Sequence, residues 1–71
     1  MDREFTALKN KLGQNLRDQR KAAGFSQEAL ALEAEVDRTY VSQIERGVCN
    51  PSLLALHKIA KILKVSVVDL L

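Results

Sequence analysis

The stretch from Ser26 to Gly47, SQEALALEAEVDRTYVSQIERG, constrains the fold of this chain more than any other. It contains two short helical patterns, and only about three residues separate them. A connection this short can only turn a corner, so the two predicted helices must lie against each other. The second pattern carries its polar side chains on one face. This arrangement is the sequence form of a helix-turn-helix motif, whose second helix can enter the major groove of DNA.

Residues suited to helix ends mark the limits of both helices. Ser26 and Asp37 are expected to be N-caps, because a short polar side chain there accepts a hydrogen bond from an N–H group of the first turn. Gly47 should end the second helix, since glycine adopts the left-handed conformation that often follows a helix. Val41 and Ile44 lie three residues apart on the side expected to face the core.

A first helix is predicted ahead of the motif. Its apolar residues recur at helical spacing and should form one buried stripe: Phe5, Leu8, Leu12, Leu16 and Ala23. Gly24 is expected to end this helix at the C′ position. Gly13 lies inside the helix and costs about 1 kcal/mol of helix propensity relative to alanine. The sequence offers no reason for that glycine.

Two more helices are predicted after the motif. Pro51 suits the first position of a fourth helix that runs to about Leu63. The core side of this helix is predicted to comprise Leu53, Leu56, Ile59, Ala60 and Leu63. Ser66 should cap a last short helix over residues 67–71. Five helices with no strand pattern predict an all-α fold, in a single domain over residues 1–71 because so short a chain cannot divide its core in two.

The composition is that of an ordinary soluble globular domain, with 46% hydrophobic and 28% charged residues. A net charge of +2 is too small to indicate nucleic-acid binding by itself. No apolar run approaches the roughly 18 residues that a membrane span needs, and the N-terminus lacks the apolar core of a signal peptide. The expected location is therefore the bacterial cytoplasm, in association with the nucleoid.

The sequence lacks the residue combinations that catalysis or metal binding requires. Cys49 is the one cysteine and His57 the one histidine, which excludes an intramolecular disulfide, a cysteine-built zinc site and a nucleophile–base couple. No glycine-rich phosphate loop and no paired carboxylates at a cleft are recognisable. We therefore expect a protein that is not an enzyme and that uses no metal, cofactor or small-molecule ligand.

Several separate stretches resemble the Cro/C1-type (XRE) helix-turn-helix family of bacterial and phage repressors. They are Arg20 with Gly24 four residues later, the SQEAL opening of the second helix, VDRTYVSQIERG, and NPSLLALHKIAKILKVS. The resemblance covers roughly residues 12–71 and implies a compact five-helix, lambda-repressor-like DNA-binding domain with its motif at about residues 26–47. Within the family, DRTY-x-x-x-IERG and the small size resemble the controller proteins of restriction–modification systems.

The polar face of the second motif helix is expected to read the bases. A recognition helix enters the groove with its N-terminal residues nearest the bases, so the candidate base-reading residues are Arg38, Thr39, Ser42 and Gln43. Arg38 could donate to both O6 and N7 of guanine, and Gln43 could pair with N6 and N7 of adenine. The alternative for Arg38 is a solvated arginine at a helix start, beside Asp37.

A second set of residues is expected to contact the DNA phosphates: Gln27, Tyr40, Arg46, Asn50 and Ser52. Gln27 lies in the first turn of the second helix, where backbone N–H groups favour an anion, and the family resemblance implies a phosphate-contacting glutamine at this position. Tyr40 could equally pack its ring against the protein and point only its hydroxyl outward. The alternative for Arg46, Asn50 and Ser52 is capping and turn chemistry.

Further residues are assigned to structure and assembly. The resemblance implies that Arg20 and Glu45 form a largely buried ion pair between the first helix and the end of the recognition helix. Leu54, Ile62 and Val68 are apolar where the family usually has polar residues, and together with Val67 and Leu71 they predict a homodimer interface. Two copies joined there would set their recognition helices ~34 Å apart, which requires a palindromic or near-palindromic site in double-stranded DNA. The alternative is that some of these side chains fold under the C-terminus.

Two positions depart from the family pattern. Glu35 at the corner of the motif and Lys64 at the end of the fourth helix stand where the family often has a glycine with positive φ. If these residues are left-handed here, each costs about 1 kcal/mol.

The function expected from the sequence is that of a sequence-specific, dimeric DNA-binding transcriptional regulator, and within that class an autoregulatory controller of a restriction–modification system. Such a dimer either blocks RNA polymerase or recruits it from just upstream, and its concentration would be the main means of control. A phage-type repressor or an antitoxin is the alternative within DNA binding. A helical protein-interaction module without DNA binding is an alternative of another class, but its recognition face should be apolar.

Overall fold

The computed structural model describes residues 2–71, which form five helices joined by short turns. The helices are α1 (Arg3–Ala22), α2 (Gln27–Ala34), α3 (Arg38–Glu45), α4 (Leu53–Leu63) and α5 (Val67–Leu70). Within residues 2–71 no strand is present, so the predicted all-α fold is confirmed. None of the helices in this range combines the length and the hydropathy that a membrane span requires.

The predicted N-caps lie at the starts of their helices. The side chain of Ser26 accepts a hydrogen bond from the N–H of Ala29 at 3.0 Å, and that of Asp37 accepts one from the N–H of Thr39 at 2.8 Å. Ser66 begins α5 with a capping box, in which its side chain and that of the third helical residue bond each other's backbone N–H. These short polar side chains fix where α2, α3 and α5 begin.

The predicted start of α4 was wrong. Pro51 precedes the helix and does not occupy its first position, and the N-cap is Ser52. The hydroxyl of Ser52 accepts a hydrogen bond from the N–H of Ala55 at 3.0 Å, and its carbonyl accepts the first helical hydrogen bond, from Leu56. A serine N-cap satisfies a first-turn N–H group directly, whereas proline at the first position only omits one.

Four helices are followed by a residue in the left-handed conformation: Gly24 (φ 80°), Glu35 (φ 57°), Gly47 (φ 70°) and Lys64 (φ 60°). The two glycines confirm the predicted ends of α1 and α3. Glu35 and Lys64 adopt the same conformation with a Cβ atom, at a cost of about 1 kcal/mol each. Hydrogen bonds offset this cost, because the left-handed conformation lets the N–H groups of this residue and the next one donate to the last carbonyls of α2 and α4.

The core lies between α1, α2, α3 and α4, with α5 closing the end formed by α1 and α4. Its buried hydrophobic residues are Leu12, Leu16, Leu30, Ala31, Ala34, Val41, Ile44, Leu56, Ile59, Ala60, Leu63 and Leu70. The two residues of α3 in this core, Val41 and Ile44, are the pair predicted to face inward. Because α3 packs only through this face, its opposite face remains at the surface.

The buried stripes of α1 and α4 are shorter than the sequence predicted. Phe5 and Leu8 are 38% and 45% exposed, because they line an open groove with residues that include Pro51 and Leu71. Ala23 is exposed at the C-cap of the same helix. Leu53 is 72% exposed, since α4 turns Ala55 rather than its first residue toward the core. Helical spacing identifies a face correctly but does not indicate how far along that face the partner helices reach.

Gly13, unexplained in the sequence, lies where α1 crosses the end of α3. A Cβ atom on this residue would lie 2.5 Å from the carbonyl oxygen of Ile44 and 2.6 Å from that of Glu45. Both contacts involve backbone atoms, which cannot rotate away as a side chain can. Glycine therefore allows the backbones of α1 and α3 to approach closely, and this approach brings the end of α3 against α1.

Candidate nucleic-acid interface

The four predicted base-reading residues lie together on the outer face of α3: Arg38, Thr39, Ser42 and Gln43. Arg38 and Thr39, at the first turn, are exposed, whereas the two residues one turn later are half-buried. Positions four apart in a helix are neighbours on its surface, so the set forms one continuous polar strip. The strip is open to solvent at the N-terminal end of α3, which is the end that approaches base edges in a docked recognition helix.

The other end of α3 is fixed by Glu45, whose side chain is fully buried. Its carboxylate accepts from Arg20 twice, from Nε to Oε2 at 2.6 Å and from Nη2 to Oε1 at 3.1 Å. Gln27 Nε2 donates to Oε1 at 3.0 Å, and Arg17 Nε donates to the same oxygen at 3.4 Å. Arg20 Nη1 also donates to the carbonyl of Phe25 at 2.8 Å. One carboxylate thus joins α1, α2 and α3.

The charges in this cluster are mutually stabilised. Burial by itself would raise the pKa of Glu45, but the hydrogen bonds from Arg20, Gln27 and Arg17 outweigh it, so the pKa lies below its ordinary value of 4.5. The hydrogen bond to Glu45 raises the pKa of Arg20 against the opposing effect of burial. Both groups are therefore charged at neutral pH. Among residues 2–71, every buried side-chain nitrogen or oxygen has a hydrogen-bond partner.

Two features of this cluster were missed by sequence reasoning. Gln27, expected to contact a phosphate, also donates its side-chain amide to Glu45, so its position is tied to the end of α3. No role was predicted for Arg17, although its side chain contacts the same carboxylate. The signal available in the sequence was its spacing, because Arg17 precedes Arg20 by three residues and so lies on the same face of α1.

The remaining predicted phosphate contacts divide into two pairs. Tyr40 is half-buried, with its ring against the core, and its hydroxyl accepts a hydrogen bond from the backbone N–H of Ser52 at 2.9 Å. Ser52 in turn caps α4. Tyr40 therefore packs against the protein and Ser52 caps a helix, which are the alternatives to phosphate contact given above. The hydroxyl proton of Tyr40 remains available to an acceptor. Arg46 and Asn50 are exposed at either end of the α3–α4 connection.

Three of the five predicted interface residues are exposed apolar side chains. Leu54, Val68 and Leu71 are 62%, 77% and 44% exposed. Ile62 and Val67 are half-buried and pack against the core. The structure thus leaves apolar area on α4 and α5 uncovered. Only the two half-buried residues, Ile62 and Val67, fit the alternative that these side chains fold into the protein.

The residues with reactive side chains are not gathered into a site. Cys49 is half-buried in the connection after α3, where burial raises the pKa of its thiol and Lys9 opposes that effect. His57 is exposed on α4. Within residues 2–71, no three His, Cys, Asp or Glu side chains lie close enough together to hold a metal ion.

The family described as Helix-turn-helix matches residues 16–70, which include α2, α3, α4 and α5. The chain belongs to the Cro/C1-type (XRE) helix-turn-helix family. This family consists of transcription regulators and is not a class of enzymes. The prediction of a DNA-binding transcriptional regulator is thereby confirmed.

Relatives of this family match most of the chain. The control protein C.BamHI of Bacillus amyloliquefaciens is 48% identical over 60 residues, which are 83% of this chain and 74% of the relative. The crystal structure of the restriction-modification controller protein C.AhdI from Aeromonas hydrophila superposes with a TM-score of 0.88 at 43% identity, covering 92% of this chain and 98% of that one.

A third relative has been solved with DNA. The structure of SinR, a master regulator for biofilm formation, in complex with DNA has a TM-score of 0.80 at 42% identity, over 83% of this chain and 95% of that one. In sequence, this chain is 43% identical to SinR of Bacillus subtilis (strain 168) and spans 55% of its length.

Proposed function

We propose that the protein is a sequence-specific, dimeric DNA-binding regulator that controls a restriction–modification system and its own synthesis. The observation that carries this proposal is the outer face of α3, whose four polar side chains lie together at the surface while the opposite face is buried. The likeness to C.BamHI and C.AhdI over most of the chain supports the controller function over that of a phage repressor or an antitoxin. The polar character of the α3 face weighs against a protein-interaction module.

In the proposed complex, α3 enters the major groove with its N-terminal end toward the bases. Arg38, which is exposed, would donate to O6 and N7 of guanine. Thr39 and Ser42 would offer hydroxyl groups, and Gln43 an amide, to the neighbouring base edges. The first turn of α2 would bind a phosphate through its backbone N–H groups and Gln27, which fixes the depth and register of α3 in the groove.

Dimerisation would set the geometry of the DNA site. Val68, Leu54 and Leu71 leave apolar surface whose burial against a second copy is favourable. A two-fold axis through that surface would repeat the recognition helix ~34 Å away, so the DNA site would be palindromic or nearly so. A dimer bound beside a promoter would exclude RNA polymerase, or contact it from upstream, according to where the site lies. The protein concentration would then decide which sites are filled.

The reading of bases by α3 is tested with two substitutions. We expect Arg38→Ala to relax the preference at one base position by about 1–3 kcal/mol and to leave the other positions unchanged. Gln27→Ala should weaken binding to all sequences alike, because a phosphate contact carries no sequence information. The measurement is fluorescence anisotropy, on a duplex selected from random DNA by the wild-type protein and on its single-base variants.

Two controls accompany this experiment. Because Gln27 also bonds Glu45, the melting temperature of each variant is measured, and binding is compared well below it. A wild-type protein that selects no sequence from random DNA would contradict the proposed function. If Arg38→Ala kept the full base preference at every position, Arg38 would not be a base-reading residue.

The dimer is tested by sedimentation equilibrium. We expect the wild-type protein to associate reversibly at micromolar concentration and Val68→Asp to sediment as a monomer, since burying an unpaired carboxylate in an apolar interface is unfavourable. Val68 is 77% exposed, so this substitution should not unfold the monomer. Leu32→Asp is the matched control, because Leu32 is 79% exposed on α2, outside the proposed interface. A wild-type protein that stays monomeric at this concentration would exclude the proposed dimer.

A further inference from the structure

The cluster around Glu45 holds more positive charge than its structural task requires. The single carboxylate is already matched by Arg20, whose guanidinium makes two hydrogen bonds to it at 2.6 and 3.1 Å. Arg17 adds a second guanidinium at 3.4 Å, so the three side chains carry a net charge of +1. The acid next to Arg17 in sequence, Asp18, is bonded to Gln14 at 2.9 Å instead. The positive charge of Arg17 is therefore not neutralised within the cluster.

The guanidinium of Arg17, unlike that of Arg20, has N–H donors that are free to bind another group. The side chain of Arg20 is only 10% exposed, whereas that of Arg17 is 41% exposed. Among residues 2–71, Arg17 uses only Nε in a hydrogen bond, to Oε1 of Glu45. Its two terminal nitrogens, with four N–H donors, have no partner in this range. An arginine held through Nε with its terminal nitrogens at the surface is arranged to bind an anion.

Arg17 lies beside the proposed phosphate contact of α2, which indicates that the anion it binds is a DNA phosphate. Oε1 of Glu45 accepts from Arg17 Nε and Gln27 Nε2 as well as from Arg20, so the side chains of Arg17 and Gln27 meet at one oxygen atom. Gln27 belongs to the first turn of α2, whose backbone N–H groups are the proposed phosphate contact. Arg17 thus reaches the same place from α1 and adds a full positive charge where Gln27 has only an amide.

We propose that Arg17 is a further phosphate contact of the DNA-binding surface, held beside Gln27 by Glu45. This assignment rests on the DNA-binding function proposed above. The terminal nitrogens of Arg17 bind the phosphate that the first turn of α2 receives, or the adjacent one on the same strand. Because Glu45 already orients the guanidinium, little side-chain freedom is lost when the phosphate binds. The contact strengthens binding to every DNA sequence alike.

The test is the salt dependence of DNA binding by wild-type protein and Arg17→Ala. Losing one phosphate contact per protomer removes two from a dimer, so the slope of log K against log salt should become shallower by about 1.8. The advantage of the wild-type protein should then shrink about 12-fold between 50 and 200 mM salt, equally on selected and random duplexes. Arg3→Ala is the matched control, because this exposed arginine of α1 lies roughly 21 Å from Arg17 along the helix.

Other outcomes separate this assignment from a structural role and from the proposed function. Arg17→Lys keeps the charge and should retain most of the wild-type slope. If Arg17→Ala lowered the melting temperature and the affinity but left the slope at the wild-type value, Arg17 would act only through Glu45 and the assignment would fall. The same holds if Arg17→Ala and Arg3→Ala changed the slope equally. Failure of the wild-type protein to bind any duplex would overturn the DNA-binding function itself.

Discussion

Replacing Glu45 with alanine is expected to lower the free energy of unfolding by about 3–5 kcal/mol, because it leaves the guanidinium of Arg20 buried without a counter-charge. Arg20 is 8% exposed and makes two of its hydrogen bonds to this carboxylate. The substitution also removes the acceptor of Gln27 and Arg17. For a domain of this size such a loss is a large part of the total stability.

Urea denaturation followed by circular dichroism measures this effect. Glu33→Ala is the matched control, since Glu33 is exposed on α2 and its removal should change the free energy of unfolding by no more than about 0.5 kcal/mol. If Glu45→Ala unfolded at the same urea concentration as the wild-type protein, the cluster would contribute nothing to stability.

The pH dependence of stability at this position follows from the lowered pKa of Glu45. The folded-state pKa lies below the ordinary value of 4.5, so the stabilisation by the charged carboxylate is fully present above pH 4.5. It is lost as the pH falls through the folded-state pKa. Wild-type protein and Glu45→Gln should therefore differ most near neutral pH and converge in acid, as measured by thermal unfolding at a series of pH values. A difference that grew in acid would contradict the assigned charge state.

Gly13→Ala is expected to destabilise the protein by roughly 1–3 kcal/mol, although alanine is the better helix former by about 1 kcal/mol. The added Cβ would meet the carbonyl oxygens of Ile44 and Glu45 at 2.5 and 2.6 Å, and the carbonyl carbon of Glu45 at 2.9 Å. The clash forces α1 away from the end of α3. We expect the same shift to lengthen the Arg20–Glu45 contact, because these residues lie on the two displaced helices.

The control for this prediction reverses the substitution on the same helix. Ala7→Gly, at an exposed position of α1, should destabilise by about 1 kcal/mol through helix propensity alone. Both variants are compared with wild-type protein by urea denaturation. If Gly13→Ala raised the stability as propensity alone predicts, the close approach of α1 and α3 would not exist in solution.

Local patterns in the sequence predicted local structure well. Ser26, Asp37 and Ser66 were identified as N-caps because a cap depends on one side chain and the backbone next to it. Gly24 and Gly47 ended their helices for the same kind of reason. The start of α4 was misplaced only because proline and serine stand side by side and both suit a helix start.

What depends on distant parts of the chain could not be predicted. Phe5 and Leu8 fit the apolar stripe of α1, but their burial depends on whether another helix reaches them, which spacing does not indicate. The need for Gly13 arises from the carbonyl groups of α3, some thirty residues away in sequence. The spacing of Arg17 from Arg20 indicates a shared face of α1, but the contact of Arg17 with Glu45 depends on where α3 packs. The ion pair of Arg20 and Glu45 was expected only through the family resemblance, and the structure places the two in contact.

The two faces and the two ends of α3 have separate tasks, and this separation bears on how such proteins diverge. Arg38 and Thr39 are exposed and Ser42 and Gln43 are half-buried, whereas the buried Val41, Ile44 and Glu45 hold the helix in place. Substitutions in the first group can therefore accumulate at little cost to stability. If those four positions read the bases as proposed, gene duplication followed by change at them would yield paralogues that fold alike yet ignore one another's promoters, so several such switches could operate in one cell without interference.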